Sequence, residues 1–189
     1  IAIDPNDPMV IVAGTVMNDY YYSNNGGKKW KSTTLKSPFG VNGDPVLHIS
    51  QTGRVYYFHL SNPENGHRLD RIACAHSDFY NGKSWEYSAT AVNGTKIQDK
   101  PWVAECPVTG NLYLTWTQFD AYKSPDPKDS SFIFFAKSTD EGKTWSKPIR
   151  ISKFGGDCMD GNETVEGAVP AVDKQGNLFV VWTGPHGIR

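Results

Sequence analysis

Apolar residues in this chain are gathered into short runs of a strand's length, and Gly, Pro, Asn and Asp stand between the runs. Periodicity of the helical kind is almost absent. The pattern predicts strands over Ile1–Asp4, Met9–Thr15, Asp19–Ser23 and Trp30–Leu35, the first two joined by the turn Pro5-Asn6-Asp7-Pro8. It then restarts. A second set runs over Asp44–Ser50, Arg54–Leu60, Arg71–Ser77 and Glu86–Ala91. A third covers Lys100–Ala104, Asn111–Trp116, Ser131–Lys137 and Lys147–Ser152, and a fourth opens with Ala168–Val172 and Asn177–Trp182. The repeating unit is a four-stranded antiparallel meander, over residues 1–36, 44–92, 99–152 and an incomplete 166–189.

One turn is especially compact. Ser138-Thr139-Asp140-Glu141-Gly142-Lys143-Thr144-Trp145 offers short polar side chains that can bond the turn's own amides. Gly142 supplies a residue free to adopt positive φ, and Trp145 an aromatic anchor for the next strand. Looser copies lie in phase with it. Ser23–Trp30 has Asn25 in place of the aspartate and Gly26 as the expected turn glycine. Ser77–Trp85 is one residue longer and carries Gly82. Repetition of short strands at this spacing predicts an all-β fold, a β-propeller. Three and a half blades are fewer than close a ring, so the sequence is expected to be part of a longer, six- to eight-bladed propeller.

Composition narrows the partners. The 189 residues carry a net charge of −1, with no basic cluster to recommend nucleic acid and no run apolar enough to span a bilayer. The three cysteines, Cys74, Cys106 and Cys158, have no metal-ligand spacing and read as isolated thiols. No metal or cofactor is implied. Ile1 already reads as strand, so a leader would not be visible here.

The octet resembles the Asp-box, Ser-x-Asp-x-Gly-x-Thr-Trp, of the sialidase (neuraminidase) superfamily and related BNR-repeat proteins. The resemblance implies a secreted, periplasmic or cell-surface protein. It also implies a site in which three arginines grip a substrate carboxylate, a glutamate activates a nucleophilic tyrosine, and a loop aspartate serves as acid/base. Glu166, at the start of a first strand, stands where that glutamate would fall. The strand ending Trp182-Thr183-Gly184 lacks the arginine usual in the family, and no early Arg-Ile-Pro motif is present.

In such a meander the Asp-box turns and the turns between first and second strands share one face, so the Asp-boxes are expected to be structural. The opposite face collects the longer polar loops, where function is expected. His67, Arg68, Asp44 and Asp99 are the candidate ligand-binding residues there, and Glu166 the candidate catalytic one. Asp44 and Asp99 have an alternative role in satisfying backbone amides, and Asp157, Asp160 and Glu163 read as a solvated acidic loop. Trp102, Trp116 and Trp182 could stack on sugar rings, with inter-blade packing favoured for the last two. The expected function is a glycan- or protein-binding or scaffold module, the rest of whose propeller lies outside this sequence. The alternative is an exo-sialidase whose remaining catalytic residues also lie outside it.

Overall fold

The computed structural model describes residues 1–185; the last four positions of the expected fourth copy lie outside the described residues. Its strands are β1 (Ala2–Ile3), β2 (Ile11–Gly14), β3 (Asp19–Ser23) and β4 (Lys31–Thr34); β5 (Val46–Ile49), β6 (Val55–Leu60), β7 (Ile72–Ser77) and β8 (Glu86–Ala89); β9 (Ile97–Glu105), β10 (Leu112–Phe119), β11 (Ser131–Ser138) and β12 (Ile149–Arg150); and β13 (Glu166–Val172) with β14 (Leu178–Thr183). They form three four-stranded antiparallel meanders and a two-stranded sheet, arranged as blades of a β-propeller with β1, β5, β9 and β13 innermost.

The blades pack face to face, and the burial pattern explains why. β6 and β7 are buried along their whole length, because both of their faces are covered. Alternate side chains serve opposite seams. Val55, Tyr57 and Ala75 join Val12, Tyr20 and Leu47 of the first seam. Tyr56, Phe58 and Cys74 join Leu114, Trp116 and Ala136 of the second. Ile133, Val165 and Ala168 form the third. The outermost strand of the first blade, Lys31–Thr34, is polar and largely exposed.

All three fourth strands are shorter than expected. Thr90 and Ser152 lie beyond the ends of β8 and β12, where their hydroxyls accept the amides of Ile72 at 3.1 Å and Ile133 at 3.0 Å. Side chains thus replace backbone carbonyls in the ladder. Pro148, with no N–H to donate, precedes the last of these strands.

The Ser138 turn is a closed hydrogen-bonded unit. Ser138 Oγ accepts the Gly142 amide at 2.9 Å and donates to Asp140 Oδ1 at 2.7 Å, while Asp140 takes the Thr144 amide at 2.9 Å and its hydroxyl at 2.6 Å. Burial opposes ionisation of Asp140, but these donors outweigh it and bring the carboxyl down to about 2. The first copy repeats the geometry and corrects the expected glycine. Ser23 Oγ accepts the amide of Gly27, not Gly26, at 3.0 Å, and Asn25 Oδ1 accepts that of Lys29 at 2.8 Å. In the longer Ser77 turn the serine bonds only Phe79, and Gly82 supplies the positive φ.

These turns reach back to the blade before them. Trp85 meets Tyr20 edge-on at 5.2 Å, and Trp145 sends its indole N–H to Ser88 Oγ at 3.0 Å. Arg54, in the β5–β6 turn, binds Asp78 Oδ1 at 2.7 Å and the Glu141 carbonyl at 3.3 Å. The two classes of turn therefore share a face, leaving the starts of the inner strands on the other.

Candidate ligand site at the inner-strand starts

Three inner strands share one backbone device close to their starts. Asp44, Lys100 and Gly167 have φ of 48°, 48° and 70°, and each precedes a Pro, Pro or Ala. Two of the three are not glycine, and left-handed backbone costs such residues roughly 1–2 kcal/mol. In β9 and β13 the device is a bulge. Pairing with β10 shifts between Thr115 and Thr117, and pairing with β14 shifts between Glu166 and Val169. Bulges re-aim side chains, and retained strain of this kind gathers at functional sites.

What is re-aimed here is a set of charges. The Lys100 ammonium lies 3.4 Å from Asp99 Oδ2 and 3.1 Å from Glu166 Oε1. Asp99 and Glu166 hold the same place in successive blades, each immediately before the left-handed residue. Asp99 Oδ1 also accepts the Lys100 amide at 2.8 Å, so the backbone role expected of it is real. Glu166 Oε1 is buried, and beyond its ion pair with Lys100 it accepts no hydrogen bond. Burial pushes both carboxyls up, more than the ammonium between them pulls down. The β13 side is completed by Asp160, which accepts the Tyr122 hydroxyl at 2.6 Å. That bond holds the Asp160 carboxyl below the usual range and pushes the Tyr122 phenol up to about 12.

Beside the charges opens a cavity of about 320 Å³. Its lining repeats the phase of the blades: Asp44-Pro45-Val46, Lys100-Pro101-Trp102 and Gly167-Ala168-Val169. Trp102 is 48% exposed, whereas Trp116, at 1%, is locked inside by its N–H bond to Gln98 Oε1 at 2.6 Å. Trp182, at its equivalent position on β14, is 39% exposed and borders a separate cleft with Phe154.

The structure thus gathers Asp99 and Glu166 on one ammonium and sets Asp44 at the neighbouring cavity. His67 and Arg68 stand apart, exposed on the β6–β7 loop. Asp160, read as solvated, is exposed and also accepts the Tyr122 hydroxyl. Sequence reasoning missed Lys100 and Tyr122. In-phase Asp44-Pro45 and Lys100-Pro101 pairs were the visible signal for the first; nothing in the sequence pointed to the second. Among the described arginines none lines the cavity. Arg71 is held bidentately by Asp70, and Arg150 lies over Phe132 on the outer strands.

No family model and no curated protein matches this chain. Solved structures do. A Dyadobacter fermentans protein of unknown function superposes with a TM-score of 0.59 at 16% identity, over 87% of this chain and 43% of that one. NanB sialidase from Streptococcus pneumoniae gives 0.54 at 16%, over 86% and 23%. A thermostable family-43 glycoside hydrolase gives 0.52 at 17%, over 92% and 63%. The fold is a sialidase-like β-propeller. This chain spans less than two thirds of the length of each of these three structures.

Proposed function

We propose that this chain is the glycan-binding part of an extracellular or cell-surface propeller. The carrying observation is that an exposed indole, Trp102, and the charged residues Asp44 and Lys100 line one cavity at the inner-strand starts. An aromatic face suits the C–H side of a sugar ring, and fixed polar groups suit its hydroxyls. His67 and Arg68, on the same face, extend the surface offered to a longer glycan or to a protein. In binding to a printed glycan array, followed by calorimetry on the best oligosaccharide, Trp102→Ala and Asp44→Ala are expected to weaken retention at least about tenfold. Their melting temperatures should stay near wild type, and Arg68→Ala should have a smaller effect. No retention by the wild type, or equal retention by all variants, would remove the proposal.

A second reading, glycoside hydrolysis, is favoured by the two carboxyls on one ammonium, Asp99 and Glu166. Hydrolysis with two carboxyls needs one protonated and one ionised, and the half-buried Glu166, with its raised carboxyl, suits the acid. Tyrosine-nucleophile chemistry of the sialidase type has less support, because Tyr122 donates to Asp160 and its phenol is raised. Release of a chromophore from aryl glycosides by wild type and its loss in Glu166→Gln would separate hydrolysis from binding alone.

A further inference from the structure

Resting on the glycan-binding reading, we infer that the site selects sugars without negative charge, uncharged or amino-bearing, and rejects sialic acid and other anionic sugars. Three observations carry this. First, the acceptors outnumber the cations. Asp44, Asp99, Asp160 and Glu166 gather about Lys100, whose ammonium is already shared between two carboxylates. Lys123, the other ammonium near Asp160, lies over the Tyr122 ring at 5.4 Å.

Second, among the described residues the groups best fitted to an anionic sugar are elsewhere. A guanidinium fork matches a carboxylate, yet Arg54 is committed to Asp78 on the opposite face and Arg71 to Asp70. Arg68 lies on the exposed β6–β7 loop, and none of the three lines the cavity. Third, the Lys100 ammonium stands 3.1 Å from Glu166 Oε1, and beyond that ion pair this oxygen accepts no hydrogen bond. An acceptor engaged only in this way is better satisfied by a ligand that donates, as a hydroxyl or an ammonium does. An incoming carboxylate brings only another acceptor and another negative charge.

The test uses matched probes. Calorimetry of the whole chain in low-salt buffer would compare lactose with 3′-sialyllactose, and N-acetylated with fully deacetylated chitotriose. Within at least one scaffold pair the less negative member is expected to bind, with sialyllactose at least about tenfold weaker than lactose. Added salt should narrow that gap, because screening weakens repulsion between charges. Glu166→Gln should narrow it as well, in a protein whose circular dichroism and melting are unchanged. Tighter binding of sialyllactose, or a gap indifferent to salt and to Glu166→Gln, overturns the inference while leaving glycan binding intact. Failure of every saccharide on the array and in solution removes the underlying reading and this inference together.

Discussion

The indole of Trp145 meets the ring of Phe58 edge-on at 5.7 Å, across the seam between the second and third blades. Ser88 ties the same contact from both sides, accepting the indole N–H and donating to the Gly142 carbonyl. A turn belonging to one blade thereby completes the core of the blade before it. Trp145→Ala should cost about 2–4 kcal/mol in urea unfolding and leave saccharide affinity unchanged, since the ligand face is opposite. A stable Trp145→Ala protein that has lost binding would mean the two faces are assigned the wrong way round.

Gly142 lies at that seam with φ of +82°, and an added Cβ would stand 2.9 Å from Tyr56 Cε1. Gly94 has φ of +60° and open space around it. The pair separates crowding from backbone strain. Gly94→Ala should cost about 1 kcal/mol from conformation alone, and Gly142→Ala about 2–4 kcal/mol because crowding adds to it. Equal losses in chemical denaturation would show that the seam yields freely around the turn.

His59 is fully buried; its Nδ1–H donates to the Leu60 carbonyl at 2.9 Å, and Nε2 has no partner. Burial lowers its pKa from 6.5 to about 4. The unfolded chain takes up the proton more readily, so this contribution is intact above pH 6.5 and is lost as pH falls toward 4. The interval corresponds to roughly 3 kcal/mol. His76 moves in the same direction through burial and the nearby Arg54. Urea midpoints at pH 7 and pH 5 should diverge strongly in wild type and less in His59→Phe; the same divergence in both would refute the assignment.

Lys100→Met removes the ammonium shared by Asp99 and Glu166. Both carboxyls are already raised by burial, and without the lysine they rise further. A carboxyl whose folded pKa exceeds its unfolded value destabilises the fold progressively as pH climbs between the two. Melting of Lys100→Met should therefore fall short of wild type by about 1–3 kcal/mol near neutrality, with the deficit closing toward pH 4. Adding Glu166→Gln should recover part of it. A deficit constant with pH would indicate lost packing instead of uncompensated charge.

Strand order, the meander and the two faces were legible because turn chemistry is local. Ser138, Asp140 and Gly142 close their own hydrogen bonds within one octet, and the phase of that octet fixes the strands around it. Gly27 was misassigned as Gly26 because adjacent glycines differ only in which amide meets Ser23, a matter of one residue in register. Asp44 and Asp99 are candidates from the loops expected on the polar face, and Glu166 from the place that the sialidase resemblance gives to an activating glutamate. Lys100 was passed over because, in the sequence, it is one more polar residue opening a strand. Its role depends on left-handed backbone and a bulge, and both arise from pairing with β10. Tyr122 is harder still, since its partner Asp160 comes from a loop following a different strand.

The backward reach of the turns at Trp85 and Trp145 bears on how the molecule comes apart. Tyr20 is capped by the second blade, and Phe58 by the third. Excising one sheet would strip the cover from its predecessor and orphan the anchor of its successor. Cooperativity in this chain accordingly belongs to the seams, and hydrogen exchange should release neighbouring halves of two sheets together before it releases any one sheet whole.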